Sequence, residues 1–223
     1  KSHSVSLSAD MYRRFGAFQC NLLLEGFYTR LNHVFVLEEI GKDEEHNAVI
    51  KERRNGQGAE VAGVTVEGKV AYLSLVQLQA GVTWQKSHYT RPEKWSKDSS
   101  VPAEKRIFRT PDWYGYFTAT YSPVKPLNIA LSGTYTGSMI VQHMKGYIPK
   151  DIAVTTPDFF DMNLKISYDF SLYKFITLQL NAGIQNIFNA YQRDFDQGKE
   201  RDSGYIYGPS MPRSYFAGAK LMF

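Results

Sequence analysis

The connections between strand-like segments alternate in length along the whole chain, and this alternation restricts the fold more than composition does. The pieces around Arg13–Gly16, Gly68–Val70, Ser122–Pro126 and Ser171–Tyr173 are a few residues each, with the Gly, Pro and Ser chemistry of turns. Between them fall Glu38–Gln57, Tyr89–Pro111, His143–Pro157 and Asn189–Pro212, rich in charge, Gly and Pro. Each of these has about a dozen residues or more, where an ordinary hairpin loop has about two to five. A soluble antiparallel sandwich has no reason to sort its loops by length onto two sides. A barrel crossing an outer membrane shows this pattern, with short turns on one side and long loops on the other.

The strands themselves are read from period-two alternation, because successive side chains on a strand point to opposite faces. Ile176, Leu178, Leu180, Ala182 and Ile184 alternate with Thr177, Gln179, Asn181, Gly183 and Gln185. Val76, Leu78, Ala80, Val82 and Trp84 repeat the pattern, as do Phe160, Met162, Leu164, Ile166, Tyr168 and Phe170. No helical stripe competes. The expected strands cover roughly 2–13, 17–37, 58–68, 71–88, 112–122, 126–142, 158–170, 174–187 and 213–223, about nine in all, with ends uncertain by two to four residues. The charges fix the register of the 158–170 strand. Placing Asp161, Lys165 and Asp169 toward lipid would cost up to about 2–4 kcal/mol for the lysine near the midplane. The opposite register offers lipid an unbroken apolar column. The expected class is therefore all-β, an antiparallel transmembrane barrel or part of one.

Composition agrees without deciding the matter. No run approaches the ~18 apolar residues of a membrane-spanning helix, a test that strands evade. Aromatic residues make up 14% of the chain, and Trp84, Trp113, Tyr114, Tyr121, Tyr168 and Tyr173 fall near strand ends, as girdles at the two water interfaces would require. The net charge of +4 is spread through mixed loops and gives no case for nucleic acid. Cys20, the single cysteine, forms no internal disulfide and shares a face with Phe18, Leu22 and Leu24. No signal peptide is visible and the first residues already read as strand, so the segment is expected to sit inside a longer chain.

The C-terminal third carries more specific marks. Asn-Ile-Phe-Asn at 186–189 leaves a strand; Tyr191, Asp194-Phe195-Asp196, Arg201-Asp202, Tyr205-Ile206-Tyr207-Gly208-Pro209 and Pro212-Arg213 follow; the final strand Ser214–Phe223 ends on an aromatic. With Gly63-Val64-Thr65-Val66-Glu67 and Thr110-Pro111 upstream, this combination resembles the C-terminal part of a TonB-dependent outer-membrane receptor. The resemblance implies a 22-stranded type of barrel around a plug, of which residues 1–223 would be a C-terminal portion with neither the plug nor the TonB-contacting box. It also implies active uptake of a scarce, bulky nutrient, namely a ferric siderophore, haem or a corrinoid, and no enzymatic role. The implied partners are outer-membrane lipid, the TonB energy-transducing complex through the plug, the barrel-assembly machinery and a surface lipoprotein. The implied location is the outer membrane of a Gram-negative bacterium, long loops outside and C-terminus periplasmic. Tyr215 and Phe223 in the alternating last strand resemble the terminal signal that the assembly machinery reads. A stand-alone porin or adhesin, or a barrel hydrolase, is the competing reading.

Candidate ligand residues gather in the long loops. His143 and Met144 follow a segment carrying Tyr135 and Met139, with Tyr147 close behind. Imidazole and phenolate bind iron and thioether suits softer metals, so this group could face haem or another metal centre; plain polar surface is the alternative. His33, His46 and His88 lack such neighbours. Tyr205 and Tyr207 could line the mouth or pack the loop down. Asp194, Asp196 and Asp202 fall in a 194–202 stretch loosely like a calcium loop. That stretch lacks the full spacing and is interrupted by Lys199 and Arg201, which favours a solvated loop braced by ion pairs.

Overall fold

The computed structural model describes residues 1–43, 45 and 48–223. Its strands in chain order are β1 (Ser2–Phe15), β2 (Phe18–Leu31), β3 (Phe35–Asp43), β4 (Ala48–Asn55), β5 (Ala59–Tyr72), β6 (Val76–Glu93), β7 (Glu104–Arg106), β8 (Trp113–Val124), β9 (Leu127–Thr136), β10 (Ile140–His143), β11 (Ile152–Thr155), β12 (Phe159–Tyr173), β13 (Ile176–Gln185) and β14 (Ser214–Met222). One antiparallel sheet runs β1-β2-β5-β6-β8-β9-β12-β13-β14, with short β7 added beside β6. Sequence neighbours in this path are spatial neighbours, so every other connection falls at the same end. The tight turns at 16–17, 73–75, 125–126 and 174–175 lie at one end, and the long connections at the other. Within the sheet β1 and β14 stand at opposite edges and do not pair with each other.

The register puts an apolar face across all nine strands of the path. Leu24 stands opposite Val66, Val66 opposite Val82, Ile129 opposite Ile166, and Ile166 opposite Ala182, which meets Ala217. The other face is polar. On it Thr65 bonds Thr83 at 2.9 Å, Gln179 donates to Asp169 at 2.7 Å, and Gln79 and Tyr116 both donate to the Glu67 carboxylate. Burial is inverted relative to a water-soluble domain. Among the described residues the buried apolar ones are Ala59, Met139, Ile140, Val141, Phe159 and Tyr205, all toward the long-loop end. Val5, Leu7, Leu24, Leu78, Val82, Ile166, Phe170 and Leu180 are exposed in the sheet itself. A contiguous apolar face of this extent far exceeds the few hundred Å² that a soluble monomer exposes, and marks contact with an apolar phase. Trp84 and Trp113 meet at 6.3 Å between ring centroids at the long-loop rim of that face, and Phe18 and Tyr72 at 4.6 Å near its tight-turn rim.

Several boundaries differ from the sequence reading. Gly68–Val70 is not a turn: Gly68 is extended within β5 opposite Leu22 and Ala80, and the alternation Val64, Val66, Val70, Tyr72 runs straight through it. The turn comes at Leu73, whose φ is 50°. Strands also continue further toward the other tight turns, to Phe15, Val124 and Tyr173. The expected 17–37 strand ends at Leu31, and β3 pairs with β4 as a hairpin inside the first long loop. The 126–142 strand ends at Thr136. Gly137 donates its N–H to the Trp113 carbonyl at 2.8 Å, so close that an ideal Cβ there would stand 2.7 Å from that oxygen. The chain then leaves the sheet, and β10 pairs with β11 in a hairpin of its own. Tyr114 lies opposite Thr83 on the polar face rather than in an aromatic girdle.

Candidate functional site at the long-loop end

The β10–β11 hairpin and the 186–213 loop are joined by a small mixed core. Met139, Val141 and Tyr205 pack together, with Val154 and Tyr207 against them. The His143 ring lies on the Tyr205 ring, centroids 3.7 Å apart and planes 8° from parallel. His143 Nε2 stands 3.0 Å from both carboxylate oxygens of Asp196. Asp196 also accepts the Asp202 N–H at 2.9 Å, and Asp202 accepts the Met144 and Gly204 N–H groups, each at 2.8 Å. The hydroxyls of Tyr205 and Tyr207 donate to the two oxygens of Asp194 at 2.9 and 2.7 Å. Burial, and then the hydrogen bond to Asp194, push the Tyr207 phenol up to about 12 and raise Tyr205 for the same reasons. Burial works to raise the Asp194 carboxyl, but the bonds from Tyr207 and Tyr205 outweigh it and hold the group below the ordinary carboxylate range.

These positions place the sequence candidates in two classes. His143, Tyr205 and Met139 are all buried, which makes them braces between loops. His143 has its Nε2 at Asp196 and one ring face covered by Tyr205. Tyr147 and Met144 are exposed, and the Tyr135 hydroxyl donates to Asp158 at 3.3 Å at the end of β9. Asp194, Asp196 and Asp202 do not converge on one cation: each is engaged by its own donors. Among the described residues, no group of three or more His, Cys, Asp or Glu side chains is arranged to hold a metal. His46 lies outside the described residues. Tyr215 and Phe223 are exposed at the last strand.

Other braces carry no sequence mark. Gln192, fully buried, donates to the Tyr205 carbonyl at 3.1 Å and accepts the Tyr207 N–H at 2.8 Å. Arg109 donates from its guanidinium to the carbonyls of Ile206 (2.6 Å) and Gly204, while its own N–H reaches the Ile140 carbonyl at 2.8 Å. Buried Ser96 donates to Asp151 at 2.6 Å, and Glu93 accepts the Gln57 N–H at 3.0 Å, so all four long connections are tied to a neighbour. Asn186 closes the base of the last loop. Its side chain donates to the carbonyls of Ala190 and Met211 and accepts the Ala190 N–H, with its φ at 51°. A left-handed backbone suits Asn better than most side chains, which gives the Asn-Ile-Phe-Asn step a mechanical role.

The family model described as TonB dependent receptor-like, beta-barrel, matches residues 1–187. No curated protein matches the sequence. Among solved structures, the ferric-catecholate import receptor Fiu from E. coli K12 in its closed form aligns with TM-score 0.60 and 17% identity over 99% of this chain and 27% of its own. The ferripyoverdine receptor of the Pseudomonas aeruginosa outer membrane bound to ferripyoverdine aligns with TM-score 0.59 and 13% identity, over 99% of this chain and 27% of its own. The siderophore receptor PirA from Acinetobacter baumannii aligns with TM-score 0.57 and 14% identity, over 100% of this chain and 32% of its own. The chain therefore spans about 27–32% of the length of these receptors, whose likeness is one of fold. The apolar face is the lipid face of a barrel wall, the polar face its lumen side, and the chain belongs to the TonB-dependent receptor-like β-barrel family.

Proposed function

We propose that this wall serves a Gram-negative outer-membrane receptor that takes up a ferric siderophore by TonB-dependent active transport. The observation that carries the reading is the pairing of a lipid-facing apolar sheet with four long connections braced into one assembly at a single end. Such an assembly suits a vestibule for a bulky solute. Unpaired edges at β1 and β14 cannot face hydrocarbon without leaving backbone groups unsatisfied, at several kcal/mol per group. Further strands of the same barrel would cover them. In that arrangement residues 1–223 form one domain, a C-terminal portion of the wall, and an N-terminal plug would carry the contact to the TonB complex. The long loops would be extracellular and the C-terminus periplasmic, with Tyr215 and Phe223 read by the barrel-assembly machinery.

The cargo reading favours a siderophore over haem or a corrinoid. His143 is held by Asp196 and Tyr205, whereas exposed Tyr147 and half-buried Tyr135 offer aromatic contacts to a catechol or peptide chelate. The test is growth of a strain lacking the receptor on single iron sources. Loss of growth on a ferric siderophore, with haem and corrinoid use intact, supports the reading; the reverse pattern overturns it.

A further inference from the structure

The outward side of the wall carries a transverse row of polar side chains just beyond its apolar band at the long-loop end. His3 pairs with Arg30, Arg30 with Glu60, Glu60 with His88, and His88 with Arg106, so β1, β2, β5, β6 and β7 each bring one residue to a single rung. Lys86 stands one rung below, opposite Ala62, and Trp84 one rung below that, opposite Trp113. At the usual strand rise and tilt, the apolar run from Val76 to Trp84 covers about 21 Å of the membrane normal, close to the ~25 Å of an outer-membrane apolar band. By the same measure the row lies about 10 Å beyond Trp84, at the level of lipid headgroups. Long arginine side chains can reach back from there to the apolar boundary.

The row has a surplus of positive charge. Glu60 is its one carboxylate and stands 3.6 Å from Arg30 Nε and 3.8 Å from His88 Nε2, both loose contacts, with 54% of the Arg30 side chain and 42% of His88 exposed. Lys86 is matched by Asp112. Arg106 is exposed and forms no ion pair among the described residues. Two guanidiniums therefore share one carboxylate. A guanidinium presents its donors in a fork that fits phosphate oxygens, and the imidazole N–H groups of His3 and His88 add donors beside it. Charge selects an anion, and the adjoining apolar face selects one that carries hydrocarbon. We propose that His3, Arg30, His88 and Arg106, with Lys86 below them, bind the phosphate groups of an anionic glycolipid of the outer leaflet, whose acyl chains lie against exposed Ala62, Val64 and Val66. The inference rests on the orientation proposed above, with the long loops outside.

The test titrates lipid A bearing both phosphates, and lipid A stripped of them, into the full receptor in a non-ionic detergent and counts bound lipid by native mass spectrometry. The expected result is retention of the phosphorylated form with a half-saturation at least 10-fold lower than that of the stripped form. The Arg30→Gln/Arg106→Gln double variant should abolish that selectivity, and Lys125→Gln, in the tight turn at the other end, should leave it unchanged. Glu60→Gln removes the competing carboxylate and should tighten binding about 3-fold or more, a gain that a misfolded protein cannot imitate. Heat-modifiable mobility on gels confirms that each variant is folded. Equal retention of the two lipids, selectivity undiminished in the double variant, or displacement of the lipid by equimolar inorganic phosphate overturns the site. Reversed surface labelling at Lys97→Cys and Lys125→Cys with lipid A still bound would overturn the orientation instead, and growth on ferric siderophores reports on the cargo reading separately.

Discussion

His143 and Asp196 lie 53 residues apart and meet with the imidazole Nε2 equidistant from both carboxylate oxygens, at 3.0 Å. The pair is nearly shut off from water, with side-chain exposures of 8% and 2%. It holds the β10–β11 hairpin against the last loop. A buried polar group left without its partner costs about 1–3 kcal/mol. Asp196→Ala should therefore speed hydrogen exchange of the amides at 140–143 and 192–207 by about 10- to 100-fold, because exchange there reports local opening. The strands of the wall should be unaffected. Unchanged protection in both loop segments would mean that the pair does not brace them.

Asn186 makes three side-chain hydrogen bonds that close the base of the same loop, and does so in a left-handed backbone conformation. Asn186→Gly keeps the backbone permitted and removes the bonds; Asn186→Ala removes the bonds and adds strain of about 1 kcal/mol or more. Limited proteolysis should cut 189–212 faster in the order Ala, Gly, wild type. Equal cutting in all three would deny the clasp.

The tyrosines around Asp194 predict an alkaline limit for this loop. Tyr207 is raised to about 12, and Tyr205 is raised as well, from an ordinary phenol value of about 10. A group whose folded value is raised contributes stability fully present below the unfolded value, lost as pH climbs through the folded one. Ultraviolet titration of the folded protein should show Tyr205 and Tyr207 among the last of its 15 tyrosines to ionise. Loop protection should persist at pH 9 and fall as pH passes from about 10 to 12. Late ionisation that survives Asp194→Asn undiminished would place its cause elsewhere.

Charge on the lipid face has a direct cost. Ile166 lies mid-strand opposite Ile129 and Ala182 on the apolar face. Ile166→Lys should destabilise the assembled barrel by about 2–4 kcal/mol if the site is near the midplane. Its neighbour Ser167→Lys, on the lumen side, should cost markedly less. Equilibrium unfolding in lipid vesicles measures both, and equal losses would contradict the facing.

Much of the wall could be read from alternation because lipid and lumen demand opposite chemistries at successive residues. The pattern around Ile176–Gln185 and Val76–Gln85 needs no tertiary information. The exceptions fall where local signs conflict with it. Gly68 looked like turn chemistry but is extended, since the pairing with Leu22 and Ala80 outweighs its conformational freedom. The 126–142 segment read as one strand, although its pairing with β12 ends at Thr136 and the remainder forms a hairpin with 152–155. The loop site was visible as residue types, His143, Asp194, Asp196, Tyr205 and Tyr207, but not as contacts. Gln192 and Arg109 gave no sign because a bracing role depends on which distant carbonyl comes within reach.

The orientation and membrane placement of the wall are tested most directly by single cysteines in a Cys20→Ser background, labelled on intact cells with a membrane-impermeant maleimide. Lys97→Cys and Lys199→Cys lie in long connections, and Lys125→Cys lies in the tight turn between β8 and β9. The account predicts labelling at 97 and 199 from outside, with 125 reacting only after the outer membrane is permeabilised. Labelling at 125 in intact cells, with 97 and 199 protected, would contradict it.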